Sequence, residues 1–310
     1  MIERLIENIE KVMVGKDYCI ERLMIALLCK GHVLIEDVPG VGKTTIAQAL
    51  ARSLDCSFSR IQFTPDLMPS DIIGVSIYNQ KDGRFEFKKG PIHHQIVLAD
   101  EINRTSPKTQ SSLLEVMQEQ QITVDGSTYK MEEPFMVIAT QNPIEYEGTF
   151  PLPEAQLDRF LLKISLGYPS AEEEIEIISR QQNRQSLNDI GPVLSVEEII
   201  KARDKVYGIY MSKELHEYLV SIIRETRRDE HIQLGCSPRA AIALYLASKA
   251  YAYIKKRDYV LPDDIKNVAR DVLSHRLIVK PESKYQGLNG EVLITNILKR
   301  IKVPPVTVHV

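Results

Sequence analysis

His32-Val-Leu-Ile35 is a short apolar run that passes through Glu36 into Asp37-Val-Pro-Gly-Val-Gly-Lys-Thr44, and helical periodicity then holds from Thr44 to Leu54. Strand, glycine-rich turn and helix, in that order, form the context in which a G-x-x-x-x-G-K-[ST] phosphate loop is credible. Gly40 and Gly42 let the backbone turn its N–H groups toward a phosphate. Lys43 reaches β and γ oxygens, and Thr44 offers a hydroxyl to Mg²⁺ at a helix N-terminus. Asp37 stands where that pattern has its first glycine, so the formal match is incomplete although the phosphate chemistry is intact.

Working outward, Ile96-Val-Leu-Ala99 and Phe135-Met-Val-Ile-Ala139 read as buried parallel strands. The first ends in Asp100-Glu101 and the second in Thr140-Gln-Asn142-Pro143. Parallel strands deliver their carboxyl ends to one edge, so these residues converge on the phosphate loop. One carboxylate would hold the Mg²⁺ shell, the other would orient the attacking water, and Asn142 would lie beside the γ-phosphate. Ser106 and Pro107 read as N-cap and first residue of a helix reaching about Gln120, which makes the order β-α-β-α-β and implies an α/β sheet layered by helices. Two hairpins interrupt it: Val75 to Tyr78 with Phe85 to Lys88 around Asp82-Gly83, and Gln121 to Val124 with Ser127 to Lys130 around Asp125-Gly126. Upstream, periodicity places helices over Met1 to Val14 and Tyr18 to Cys29.

After Tyr168-Pro169 the strand signals almost vanish. Ser170-Ala-Glu-Glu173 and Ser195-Val-Glu-Glu198 match capping boxes, and Ser237-Pro238 opens a long helix from Arg239 to Lys255. The prolines of Val303 to Val310 predict an extended tail or edge strand.

The 310 residues are 44% hydrophobic and 26% charged, which suits about two domains, each with a core, and excludes general disorder. No run approaches the ~20 apolar residues of a membrane span. The N-terminus is charged from its third residue, so a soluble, cytoplasmic protein is expected. Cys19, Cys29, Cys56 and Cys236 show neither zinc nor disulfide spacing and read as half-buried thiols. His93-His94 would point to opposite faces of a strand, which disfavours a metal site, and Lys255-Lys-Arg257 reads as cations complementing a helix C-terminus. Residues 1 to 166 carry 17 basic and 23 acidic groups and residues 167 to 310 carry 22 and 19, an asymmetry that suggests two units, the acidic one unsuited to general nucleic-acid binding.

DVPGVGKT, VLADEINR, ATQNP, PEAQLDRF and SPRA, in this order and spacing, resemble the AAA+ ATPases of the MoxR family, within the helix 2 insert clade. The resemblance runs from Val14-Gly15 to the terminal prolines. It implies an α/β P-loop NTPase core with a five-stranded parallel sheet and β-hairpin insertions over residues 1–167, and a C-terminal all-α lid over 168–310. ATP and Mg²⁺ are the implied cofactors, with Val14, Gly15, Val38, Pro39, Gly40, Val41, Gly42, Lys43, Thr44 and Thr45 around the nucleotide and Thr44 and Asp100 toward the metal. Glu101 and Asn142 match the Walker B glutamate and sensor 1, Arg159 matches the finger that completes a neighbour's site, and Arg239 matches sensor 2. Arg104 reads equally as a contact to nucleotide across an interface or as a partner of nearby acids. The family implies a ring, expected as a hexamer, acting on a client protein, with a von Willebrand A domain protein as a partner; nucleic acid is an unlikely ligand. The alternatives are a nucleic-acid motor, to which Lys81, Arg84, Lys88 and Lys89 of the first hairpin give some support, and the ATPase subunit of a metal chelatase.

Overall fold

The structure is a computed structural model and describes residues 1–81, 83–143, 149–182 and 187–305. Asp82, the tip residue of the first hairpin, and 306–310 of the expected tail lie outside the described residues. The strands are β1 (Val33–Glu36), β2 (Phe58–Gln62), β3 (Gly74–Asn79), β4 (Arg84–Lys89), β5 (Ile96–Asp100), β6 (Gln121–Val124), β7 (Ser127–Lys130), β8 (Met136–Gln141), β9 (Leu162–Ile164), β10 (Ile232–Leu234) and β11 (Ile278–Val279). The helices are α1 (Ile2–Glu10), α2 (Asp17–Leu28), α3 (Lys43–Ser53), α4 (Pro69–Ile73), α5 (Pro107–Glu119), α6 (Glu154–Leu157), α7 (Ala171–Gln182), α8 (Val196–Gly208), α9 (Lys213–Thr226), α10 (Pro238–Ile254), α11 (Pro262–Leu273), α12 (Pro281–Tyr285) and α13 (Gly290–Arg300).

The apolar runs of β1, β5 and β8 form the centre of a five-stranded sheet of order β2-β5-β8-β1-β9. The pairs β2–β5, β5–β8 and β8–β1 are parallel, with Gln62 opposite Asp100 and Glu36 opposite Gln141. Asp37, Asp100 and Gln141 therefore come out at one edge. The three inner strands are buried throughout except at the last residues of β1 and β8, Glu36 and Gln141, as a parallel sheet covered on two faces requires. Both hairpins form where the turn residues predict, the second with the same boundaries. They are joined by an aromatic cluster: Phe87 of β4 stacks on Tyr129 of β7 at 4.5 Å, with the His93 ring edge-on to both.

By compactness the chain divides into one unit of Met1–Leu152 with Ile164–Ile199 and another of Pro153–Lys163 with Ile200–Val310. Residues 164–199 join the first unit through bonds of the Arg180 guanidinium to the Glu10 carbonyl, of the Arg52 guanidinium to the Leu187 carbonyl, and of Arg4 to Glu198 at 3.2 Å. Residues 153–163 join the second because the buried Arg276 guanidinium donates to Asp158 Oδ1 (2.7 Å) and to the carbonyls of Phe160 (2.6 Å) and Leu161 (3.1 Å), while the His275 ring meets the Phe160 carbonyl at 3.1 Å.

Four local expectations need correcting. The first helix ends at Glu10 rather than Val14, because the chain must turn at Gly15, where φ is +66°. Strand β2 was not signalled: Phe58-Ser-Arg-Ile-Gln62 is an edge strand of mixed polarity with only Ile61 fully inside. The helical part contains a short antiparallel ribbon of β10 with β11. Cys19, Cys29 and Cys236 are buried outright, and burial pushes the Cys236 thiol up to about 11. Arg257, just past the end of α10, also forks its guanidinium onto Asp264 at the start of α11, with one bond of 2.7 Å.

Candidate functional site

The loop between β1 and α3 adopts the conformation its glycines permit, with φ of +85° at Gly40 and +94° at Gly42. At Gly42 the positive φ is what calls for glycine, since an added Cβ would meet only Met13 Cε, at 2.8 Å, the far end of a side chain that can move aside. Lys43 folds back over the loop and donates from Nζ to the Asp37 carbonyl at 2.7 Å.

Beside the loop lies a cavity of about 450 Å³, lined by Met13, Val14, Lys16, Gly40, Val41, Gly42 and Thr45, and on its far wall by Pro169, Ile177, Arg180 and Leu187. Its volume lies within the range of small-molecule sites, and its lining sets apolar side chains such as Met13, Val14 and Ile177 beside the cations Lys11, Lys16 and Arg180 and the glycines of the loop, a mixture that suits a purine nucleotide. Val14 lines the cavity, and Gly15 follows it in the chain without lining it. Gly15 is overlaid by a carboxylate, since an added Cβ would lie 1.6 Å from Glu173 Oε1. Glu173 is itself held by its capping box, accepting from Ser170 N at 2.7 Å while its own N–H donates to Ser170 Oγ at 3.2 Å. Helix α7 thus supplies part of the cavity wall through Ile177 and Arg180.

Across the sheet edge, Thr140 Oγ1 donates to Asp100 Oδ1 at 2.6 Å and accepts from the Glu101 N–H at 2.8 Å. Arg60 holds Asp100 Oδ2 through Nε (3.1 Å) and a terminal nitrogen (2.7 Å). Glu101 Oε2 accepts from Gln62 at 2.8 Å and from Arg104 at 3.0 Å. Within the single chain Arg104 pairs with Glu101, which is one of its two readings; the other concerns a neighbouring subunit. Glu101 adopts a left-handed conformation, φ +59° and ψ +49°, unusual for a residue with a side chain. Asn142 follows β8 and is 5% exposed. Thr44 and Asp100 provide hard oxygen donors of the kind Mg²⁺ takes, so the residues present fit that ion as well as the nucleotide.

The structure brings together the phosphate loop, Val14, Gly15, Asp100, Glu101 and Asn142 within the first unit. Val38 is half-buried, Pro39 is exposed, and neither lines the cavity. Arg159 and Arg239 belong to the second unit, where Ser237 Oγ donates to Asp158 Oδ2 at 3.3 Å and so draws the segments carrying the two arginines together. Arg239 is exposed on the first turn of α10, behind the Ser237 cap. Sequence reasoning missed Arg60, Gln62 and Thr140 as partners of the carboxylates, and Ile177 and Arg180 of α7 as the far wall. Thr140 was within reach, because its strand end was already singled out, whereas the α7 residues carry no local signal.

Comparison with known proteins agrees with this geometry. Residues 32–162 match the sequence model of the ATPase family associated with various cellular activities (AAA), and residues 224–295 match that of the AAA lid domain. The chain is 51% identical to the uncharacterised protein YeaC of Bacillus subtilis over 98% of its own length and 95% of that protein. It is 42% identical to the chaperone MoxR1 of Mycobacterium tuberculosis, over 98% of this chain and 83% of the relative. A crystal structure of a Cytophaga hutchinsonii protein that carries an ATPase assignment superposes with a TM-score of 0.91 at 43% identity, covering 98% of this chain and 95% of that one.

Proposed function

The chain belongs to the MoxR family of AAA+ ATPases, and from that premise we propose that its ATP hydrolysis depends on Mg²⁺ and drives remodelling, assembly or activation of client proteins. The observation that carries this reading is the stitched pair Asp100-Glu101, held by Thr140 at the sheet edge that also bears the phosphate loop. A nucleotide's β and γ oxygens compete with the Asp37 carbonyl for Lys43. Thr44 and Asp100 would hold Mg²⁺, whose chemistry is to bridge and neutralise phosphate oxygens. Glu101, released from Gln62 and Arg104, orients and polarises the attacking water, with Asn142 beside the γ-phosphate. Arg159, supplied by the neighbouring subunit of a ring, and Arg239 stabilise the charge that develops on the transferred phosphoryl group.

As a functional division we take the nucleotide-binding core as 1–167 and the lid as 168–310, although 164–199 is compact with the first unit and 153–163 with the second, and we take the ring as a hexamer. The client side of the reading is supported by the first hairpin, whose Val75, Ile77, Tyr78 and Phe85 are all exposed, an apolar ribbon of the kind that marks a protein interaction surface. A von Willebrand A domain protein remains the partner class that the family suggests. Among the described residues no helix is long and apolar enough to cross a membrane.

Three measurements test the proposal. Glu101→Gln should bind ATP and lose turnover, and unchanged hydrolysis refutes the role given to Glu101. Arg159→Ala mixed with Lys43→Ala should recover activity that neither has alone; absence of recovery refutes the shared site. Single-stranded or duplex DNA should leave the rate unchanged, and strong stimulation overturns the client-protein reading in favour of a nucleic-acid motor.

A further inference from the structure

Asp37, the one departure from the usual phosphate-loop pattern, is 8% exposed and engaged through every polar group. Its N–H donates to the Gln141 carbonyl at 3.1 Å, its carbonyl accepts from Lys43 at 2.7 Å, and its Oδ1 accepts from Val38 N at 2.9 Å. Its Oδ2 reaches away from the loop and accepts from Ser165 Oγ at 2.8 Å and Gly167 N at 2.7 Å. The same short segment is gripped from its other side: Lys16 Nζ donates to the carbonyls of Leu166 (2.9 Å) and Gly167 (3.3 Å). Ser165–Gly167 leads directly, through Tyr168 and Pro169, into α7, whose Glu173 lies over Gly15 and whose Ile177 and Arg180 wall the cavity.

We infer that Asp37 is a positioning residue that couples occupancy of the phosphate loop to the Ser165–Gly167 segment and thereby to the wall of the base pocket. A glycine at position 37 would leave the loop free to bind phosphate and would have no carboxylate to reach Ser165 and Gly167. The aspartate holds both ends of the connection. Its carbonyl is the acceptor that Lys43 must give up for a phosphate oxygen, and that bond is charge-assisted. When it is lost the peptide plane between Asp37 and Val38 is freed to turn, and with it the Val38 N–H that fixes Oδ1. The carboxylate is thereby reoriented against Ser165 and Gly167. Because the wall helix begins four residues beyond Gly167, a signal that starts at the phosphates has a route through Ser165–Gly167 to the opposite side of the cavity.

The inference rests on the phosphate loop holding nucleotide, and the test separates the two. Hydrogen–deuterium exchange of the full chain is followed with Mg²⁺-tripolyphosphate, which fills a phosphate loop but has no base to touch α7, and with Mg²⁺-ADP. In the wild type, tripolyphosphate should change exchange both at Val38–Thr45 and at Ser165–Pro169. Asp37→Gly, which restores the usual glycine, should keep the response in the loop and lose most of it at Ser165–Pro169. Ser165→Ala, which removes one donor and leaves the loop untouched, should halve the remote response and serves if Asp37→Gly does not fold. An undiminished response at Ser165–Pro169 in these variants, or ADP binding to the wild type with no response there, overturns the inference. Failure of ADP to bind at all instead overturns the ATPase reading on which it rests.

Discussion

Gly15 offers a test in which the magnitude can be worked out from the structure. An alanine there must hold φ at +66°, which costs an L-residue about 1 kcal/mol, and its methyl would stand 1.6 Å from Glu173 Oε1. The Glu173 carboxylate sits at the exposed end of a flexible side chain, so it yields rather than the backbone. In yielding it loses the 2.7 Å bond from Ser170 N that closes the capping box of α7, worth about 1 kcal/mol. Gly15→Ala should therefore destabilise the chain by about 2 kcal/mol in the wild-type background. In the Glu173→Ala background the clash and the cap are both already gone, and the same substitution should cost only the ~1 kcal/mol of backbone strain. Urea denaturation of the four proteins completes a double-mutant cycle with an expected coupling of about 1 kcal/mol. If Gly15→Ala costs the same in both backgrounds, within about 0.3 kcal/mol, then Glu173 does not press on the Gly15 turn and the packing of the start of α7 against that turn is wrong.

Thr140→Val removes the hydroxyl that serves both carboxylate residues while keeping shape; steady-state kinetics should show kcat falling by about ten- to a hundredfold, consistent with two lost hydrogen bonds including one to a charged group, at a little-changed KM for ATP. Gln62→Ala frees Glu101 Oε2 from one resting partner and should raise basal kcat by about twofold to tenfold, the factor that a net hydrogen bond of roughly 0.5–1.5 kcal/mol implies, and a fall instead would refute the view that Gln62 holds Glu101 back. His32 is fully buried, donates from Nε2 to the Met117 carbonyl and accepts from Val137 N, each at 2.9 Å, and desolvation lowers its pKa from 6.5 to about 4. The unfolded chain binds the extra proton between those values, so stability is complete above pH 6.5 and falls on the order of 3 kcal/mol by pH 4; denaturation midpoints against pH should flatten in His32→Gln. Tyr129→Ala should loosen the first hairpin by about 0.5–1.5 kcal/mol, the worth of an aromatic pair, read as faster amide exchange across β3 and β4.

The elements whose physics is local were legible in the sequence. The strands carrying Ile96 to Asp100 and Met136 to Gln141 announce themselves because both faces are buried, so almost every residue is apolar. The second hairpin follows from Asp125-Gly126, and the caps at Ser106, Ser170, Ser195 and Ser237 from the need to satisfy exposed helix N–H groups. What stayed hidden depends on distant partners. Strand β2 is an edge, free to alternate polar and apolar residues, and its Arg60 and Gln62 acquire meaning only once it lies beside β5. Asp37 looked like a defect in a motif because its partners, Ser165 and Gly167, are more than a hundred residues away. The wall formed by α7 depends on a fold-level return of the chain, which no window of sequence spans.

The conformation of Glu101 explains how two adjacent residues can serve one phosphate. Successive side chains of a regular strand point to opposite faces, so an Asp-Glu pair at a strand end should separate its carboxylates. Here Asp100 lies opposite Gln62 in the register, and Arg60 and Gln62, two residues apart on β2, share a face and bond to each other at 2.8 Å. Arg60 holds Asp100 and Gln62 holds Glu101, so both carboxylates are met from that one face. The alternation is broken at Glu101, where φ of +59° turns the chain out of the strand. Such a conformation costs about 1 kcal/mol in a residue with a side chain and persists only where neighbours enforce it. The Glu101 N–H bond to Thr140, together with the grip of Gln62 and Arg104 on its carboxylate, provides that enforcement. Threonine 140 is thus more than a partner of Asp100: by holding the backbone of Glu101 in the left-handed region, it keeps the two carboxylates on one side of the sheet edge, as the roles proposed for them in orienting water and holding Mg²⁺ require.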